Sequence, residues 1–327
     1  MIYVSRSSDA EKLPLYTKAT VKAADGKIKV TRFERERAAA ISFFTNVANY
    51  HNNEKLGEKS FSFKVYKDKA LAKVLASDFR SKCAYCESKF GAVSSADIEH
   101  YRPKASIGSG TTELKPGYYW LAGDWDNLLI SCQHCNRVRN HEVPGQSANI
   151  LLGKGSQFPL SDESKRVRVH GGNIAAEADL RLLLHPCVDQ PTEHLAFDET
   201  GLVRAIVNGV ESPRGKASID VYALQRKDLV EARRDQINEL RSKIDDLQRL
   251  VRQHNRMANS ADFPDDGHSE NLDHIAKTVM GIRTMMLPEA VYIAAKRGWV
   301  RGAYERGEFK TLEKFGVKLE AFLLFAT

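Results

Sequence analysis

Apolar and polar residues change rhythm several times along the chain, and each change predicts an element. In "TKATVKAADGKIKVTRF" apolar positions alternate with polar ones around Asp25-Gly26, a dipeptide suited to the positive φ angles of a tight hairpin turn. "ERERAAAISFFTNVANYHN" turns helical and is expected to end near His51-Asn52-Asn53. In "KDKALAKVLASDFRSK" the residues Ala70, Leu71, Val74, Leu75 and Phe79 recur at helical spacing, which predicts a helix over 67–82 running directly into Cys83. "ADIEHYRPK" reads as a strand ending at a polar turn and "LLIS" as a second strand-like run, with a short helix expected to start at Asn136. A polar, Gly- and Ser-containing connection covers roughly 153–167. "RLLLHPCVDQPTEHLAFDETGLVRAI" then mixes Pro and Gly with short apolar runs and predicts strands and loops.

From "SPRGKASIDVYALQRKDLVEARRDQ" onward the pattern is helical. Val230, Ile237, Leu240, Ile244, Leu247 and Val251 follow spacings of 7, 3, 4, 3 and 4, a heptad-like seam with charges on the other faces. Arg233 interrupts the seam. Packing on the chain's own core is the expected use, and a homodimer through these C-terminal helices is the alternative. "NSADFPDDGHSEN" reads as a solvated loop, followed by two further helices around 270–286 and 288–306. The chain therefore divides into an N-terminal hairpin with helices (1–80), a central module (81–165) and a mainly helical C-terminal region (166–327) with a long helix near 226–256.

Composition adds little to this picture. The 327 residues are 42% hydrophobic and 28% charged, as in a soluble globular protein. Lys plus Arg exceed Asp plus Glu by 49 to 42, a net charge of +7 that permits a polyanionic partner without requiring one. No apolar run approaches the roughly 18 residues of a membrane span, and "MIYVSRSSDAEKLPLY" lacks the order of a signal peptide. The expectation is a cytoplasmic protein with no membrane contact.

Cysteine placement changes the picture more. Four of the five cysteines form two equally spaced pairs, Cys83/Cys86 in "CAYC" and Cys132/Cys135 in "CQHC". A CxxC turn puts two thiolates on one side of a knuckle, and two knuckles complete a tetrahedral sulfur site suited to Zn²⁺. Four thiolates leave no position open, so this zinc should be structural. One such pair alone could be a redox motif, but the duplicated spacing argues against that. The clamp fixes both ends of the intervening segment, which can then form a small rigid module.

Within and just after that segment stand Glu99-His100, Asn127 and Asn136. Each has an ordinary explanation alone: a surface polar pair, a turn residue after "DWD", a helix cap. A neutral imidazole near pH 7 can accept a proton from water, which suits His100 for base catalysis. His185, Cys187 and His194 make a weak second metal motif, and Asp124 and Asp126 read as loop residues.

In the order CxxC, Glu99-His100, Asn127, CxxC-Asn136, the chain resembles the HNH nuclease, or ββα-metal, module of the subtype stapled by a four-cysteine zinc. It departs from the commonest pattern in having Glu99 rather than Asp before the histidine, and Asn rather than His at the third signature position. The resemblance implies an α+β fold, with this module embedded in a mainly helical protein. It implies His100 as the general base of phosphodiester hydrolysis, Asn127 as its orienting residue, and Glu99 with Asn136 as ligands of one Mg²⁺ or Mn²⁺ ion. Arg102, Lys104, Arg137 and Arg139 flank the site and could hold phosphates.

Several phrases narrow the resemblance: "CAYCE", "IEHYRPK", "YYWLAGDWDNLLISCQHCNR", "LLLHPCVDQPTEHLAFDETG" and "GKASIDVYALQRKDLVEAR". Over roughly 80–250 the chain is similar to the PtuB-type nucleases of retron-associated and Septu antiphage systems. That resemblance implies a DNA endonuclease, with double-stranded DNA as the expected substrate, working beside an ABC-type ATPase subunit. The chain has no GxxxxGK[ST], so such an ATPase would be a separate polypeptide. Two alternatives stay open: a zinc-stapled nucleic-acid-binding or assembly module without catalysis, and an HNH nuclease acting on RNA such as tRNA.

Overall fold

The structure is a computed structural model that describes residues 1–23, 26–51, 55–56, 61–92, 94–109, 112–258 and 265–324. Helices and small two-stranded antiparallel sheets make up the chain. β1 (Ala19–Ala23) pairs with β2 (Gly26–Val30) across the segment where a hairpin is expected; Asp25 itself lies outside the described residues. β3 (Tyr50–His51) pairs with β4 (Lys55–Leu56). β5 (Asp97–His100) pairs with β8 (Leu128–Ser131), and the loop between them carries the small hairpin of β6 (Ile107–Ser109) and β7 (Thr112–Leu114). β9 (Arg139–His141) pairs with β10 (Ile150–Leu152). Two further hairpins, β11 (Ala196–Phe197) with β12 (Val203–Arg204) and β13 (Ile206–Val207) with β14 (Val210–Glu211), fill the stretch read as strands and loops.

Local chemistry sets the helix ends. α1 (Arg32–Thr45) begins at a capping box: Thr31 accepts from the Glu34 amide at 2.9 Å and Glu34 accepts from the Thr31 amide at 2.6 Å. It stops at Thr45, earlier than its apolar pattern suggests, where Asn46 turns extended; Asn52 and Asn53 lie outside the described residues. Asp68 caps α2 (Lys69–Asp78), which ends five residues before Cys83 rather than running into it, because Arg80 and Ser81 turn left-handed. α3 (Gln133–Asn136) is a single turn entered from Cys132. Asn136 closes this turn rather than starting it, because the knuckle itself supplies the helical geometry.

α4 (Pro213–Val221) is capped by Ser212 and leads into the long α5 (Lys227–Ala258). α6 (Asp265–Met286), α7 (Ile293–Glu305) and α8 (Lys310–Lys314) complete the C-terminal region. The seam residues Ile237, Leu240, Ile244, Leu247 and Val251 are buried against Ile275, Ile282, Met286, Trp299 and Leu312 of the same chain. A self-contact through the C-terminal helices would therefore have to use other faces. A separate core joins the N-terminal helices to the strands around the cysteines, through Phe44, Leu71, Leu75, Tyr85, Tyr101, Leu128, Phe158 and Tyr222. Among the described residues, no helix is long and apolar enough to cross a membrane.

Candidate functional site

Four buried cysteines lie where the central strands meet the C-terminal region. The Sγ atoms of Cys83, Cys86, Cys132 and Cys135 all lie within 4.8 Å of one another, and Cys86 and Cys132 are 3.8 Å apart. A tetrahedron with Zn–S bonds of about 2.3 Å has edges of about 3.8 Å, whereas a disulfide would need about 2.05 Å. The cluster can thus hold a metal ion such as zinc. The Ala84 amide donates to the Ile130 carbonyl at 2.9 Å, tying the first knuckle to β8, while Cys132 and Cys135 come directly from the end of β8 and from α3.

Arg226, which the sequence did not mark, completes this arrangement. Its buried guanidinium donates to Cys86 Sγ at 3.5 Å and Cys135 Sγ at 3.6 Å. Among the described residues no carboxylate lies within ion-pair range of it, so the sulfurs are its counter-charge. A buried cation placed this way fits a cluster of thiolates, the charge state that binds metal.

At the end of the β5–β8 pair away from Cys132, His100 ends β5 and is only 5% exposed. Its Nε2 lies 2.9 Å from the Ala122 carbonyl, an acceptor, so Nε2 carries the proton and Nδ1 presents a lone pair. The Lys104 ammonium stands 3.3 Å from Nδ1. Burial, and then the charge of Lys104, hold the imidazole well below its ordinary pKa, so it is neutral at pH 7.

Asn127 fixes the chain around this ring. Its Oδ1 accepts from the Arg102 amide at 2.7 Å, and its Nδ2 donates to the carbonyls of Arg102 at 3.0 Å and Leu121 at 3.1 Å. Its own carbonyl accepts from the Tyr101 amide at 2.9 Å. One side chain thereby clamps the segment leaving β5 to the segment entering β8, including the neighbourhood of Ala122.

Glu99 and Asn136 are engaged by different partners, and no hydrogen bond joins them. Glu99 is buried and lies 2.6 Å from the ammonium of Lys154, which is itself buried and also donates to the His100 carbonyl at 2.9 Å. That pair falls outside hydrogen-bond alignment, yet the ammonium beside Oε1 is the buried counter-charge of the carboxylate. Burial pushes the Glu99 carboxyl upward, opposed by Lys154. Asn136 Nδ2 donates to Asp97 Oδ2 at 2.9 Å, and Arg137 grips the same carboxylate with Nε at 2.9 Å and Nη2 at 2.8 Å. Asp97 sits two residues before Glu99 on the same face of β5, a period-two signal that the sequence carried; Lys154, far along the chain, had none.

The flanking cations are also occupied. Arg102 pairs with buried Glu177 at 3.2 Å and lies over the rings of Tyr101, Tyr118 and Phe158. Arg139 donates to Gln133 Oε1 at 2.8 Å. Elsewhere, Asp124 accepts from the Asp126 amide, His185 accepts at Nδ1 from the Cys187 amide at 3.1 Å, and His194 meets Ser212 Oγ at 2.7 Å. Among the described residues, the four cysteines form the one cluster of His, Cys, Asp or Glu close enough to share an ion.

Comparison with known proteins gives two relatives, both from Bacillus mycoides (strain KBAB4). The chain is 42% identical over 178 residues to Septu protein PtuB, covering 54% of this chain and 54% of that protein. It is 31% identical over 165 residues to Septu protein PtuA, covering 50% of this chain and 20% of that protein. No family model matches, and no solved structure matches. The chain thus spans about half the length of one curated relative and a fifth of the other, and over about half of its own residues it is similar to proteins of the Septu system.

Proposed function

We propose that the chain is a metal-dependent HNH-type endonuclease acting on DNA, the effector of a Septu-type antiphage defence system that works beside an ABC-type ATPase subunit. Similarity to two Septu proteins supports the defence role. The observation that carries the chemistry is the state of His100: neutral, clamped through Asn127, and fixed by the Ala122 carbonyl in the tautomer whose free lone pair is on Nδ1.

In this reading His100 Nδ1 takes the proton from the attacking water. Asn127 keeps the ring and the Ala122 carbonyl in register, so the tautomer does not drift as the charge forms. The four thiolates hold zinc and do no chemistry. Glu99 and Asn136 would hold Mg²⁺ or Mn²⁺, with Asp97 orienting the Asn136 amide. Both supply hard oxygen atoms, and the ion would take over from Lys154 as the counter-charge of Glu99. When bound, the ion would supply Lewis-acid stabilisation of charge on the phosphate and leaving oxygens. Lys154 neutralises Glu99 meanwhile and anchors the His100 carbonyl.

The test is supercoiled plasmid incubated with the purified full-length chain, alone and with its ATPase partner, in Mg²⁺ or Mn²⁺. Nicking or linearisation that disappears in His100→Ala is the expected result. Undiminished cleavage by His100→Ala ends the assignment. Salt-sensitive DNA retention with no cleavage by either protein supports the binding-module alternative instead. Total RNA digested in parallel separates the two nucleic-acid substrates.

A further inference from the structure

The one nitrogen of His100 able to accept a proton is covered. Lys104 Nζ stands 3.3 Å from Nδ1, the distance at which an attacking water would have to sit. The ammonium rests 4.4 Å above the ring of Tyr66, and that ring meets the His100 imidazole edge-on with centroids 4.7 Å apart. Lys67 lies 5.6 Å from the same ring. Tyr66 and Lys104 are partly exposed while His100 beneath them is buried, so these two side chains form its outer wall. The Ala122 carbonyl meets the ring at Nε2, and the Lys154 ammonium, paired with Glu99, lies on the His100 backbone carbonyl.

Among the described residues no carboxylate lies within ion-pair range of Lys104; its direct contacts are a neutral lone pair and an aromatic face, with Glu99 attracting it from farther off. A phosphodiester anion is a stronger acceptor than either, because its hydrogen bond to an ammonium is charge-assisted. Tyr66 stands in the turn Val65–Lys67, within the N-terminal region.

Taking His100 as the base of the proposed reaction, we infer that Tyr66 and Lys104 form a cap over its reactive nitrogen, and that an incoming phosphate opens the cap by drawing Lys104 onto itself. Water enters the vacated position, and the ammonium then faces the phosphate oxygens on which charge develops. Lys104 is thus a catalytic residue with two stations, and Tyr66 is a positioning residue that acts through it. The cap lets the protein rest with its base shut to solvent until a phosphate is in place.

The cap is read without any cleavage assay, by diethyl pyrocarbonate labelling of the full-length protein at pH 7.5 without DNA, mapped by peptide mass spectrometry. His100 should react more slowly than exposed His170. Lys104→Ala and Tyr66→Ala should each raise the His100 rate about five- to tenfold, the factor that corresponds to one net hydrogen bond. Buried His185 reports whether a variant has kept its fold, and either folded variant decides the question. An unchanged His100 rate overturns the cap. On plasmid, Lys104→Ala should lower kcat by about ten- to a hundredfold, as loss of a charge stabiliser does, with little change in KM; unchanged or faster turnover overturns the transfer to phosphate. If no protein cleaves while labelling still responds to both substitutions, the nuclease assignment fails and the cap stands.

Discussion

The candidate base owes its state to a few neighbouring atoms, and Asn127 organises most of them. Its side chain satisfies one amide and two carbonyls on the two segments that flank the β5–β8 pair. Asn127→Ala leaves the Arg102 amide and two carbonyls in a buried place without partners. Urea titration should show a loss of about 2–4 kcal/mol, the cost of orphaning such groups. Asn127→Asp keeps the acceptor but loses both donors and should fall in between. A second residue-scale effect concerns His185, which burial holds near a pKa of about 3 in the folded chain. The unfolded ring titrates near 6.5, so below that pH the unfolded state binds a proton that the folded state refuses, and stability falls as pH drops from 6.5 toward 3. Moving from pH 7.5 to 5.5 with zinc present should cost about 1.4 kcal/mol for each such imidazole. His100, depressed in the same direction, adds to the loss. In His185→Gln the loss between those two pH values should shrink by about 1.4 kcal/mol; an unaltered pH dependence would exclude His185 as its source.

At the scale of elements, what was legible in the sequence is what has a local period or a fixed spacing. The seam of α5 is written at heptad intervals, and the two knuckles are written as repeated CxxC. The strand leading to Cys132, LLIS, is a short apolar run, and the strand carrying Glu99, DIEH, sets Ile98 between polar residues and ends at a polar turn. Long-range partners left no such mark. Arg233 reads as a break in the seam, yet it is buried, with its guanidinium donating to the Leu224 carbonyl at 2.7 Å and lying over Phe197. Charge alone predicts exposure for it, and the partners that overrule the prediction stand on other elements. Lys154 and Tyr66 follow the same rule: one enters after β10 and the other before α2, and only the folded chain sets them against Glu99 and His100. α1 ended early for the complementary reason. Its apolar pattern continues past Thr45, but Asn46 leaves the helical conformation there, and pattern does not carry capping preference.

Across the whole molecule the cysteine cluster is a junction between the strands and the C-terminal helices. Cys86 meets Ser88 Oγ at 3.2 Å, and Ser88 meets the Tyr292 hydroxyl just before α7 at 3.1 Å. Lys82 donates to the Ala290 carbonyl at 2.8 Å, and Glu87 accepts from the Ala294 amide at 3.2 Å. Tyr85, inside the first knuckle, stacks on Tyr222 at the end of α4 with centroids 3.8 Å apart. Arg226, one residue before α5, touches two of the sulfurs. α5 spans about 48 Å at 1.5 Å per residue, and only its first turns approach this junction; its later turns belong to the second core. Removing metal should therefore act unevenly. Four thiolates left without an ion repel one another or take up protons, and in either case they lose the geometry that holds Arg226 and Tyr222. After treatment with a strong zinc chelator, amide exchange should accelerate in residues 83–89, 128–141, 222–230 and 288–294. The seam over 237–251 and its partners in α6 should stay protected, because their apolar contacts do not pass through the cluster. Arg226→Met should keep the fold at saturating zinc yet release the metal to a competing chelator about ten- to a hundredfold more readily, the usual cost of losing an outer-sphere partner. Simultaneous loss of protection in both cores would mean that the ion governs the whole chain. Wild-type metal retention in Arg226→Met would mean that its guanidinium is only packing.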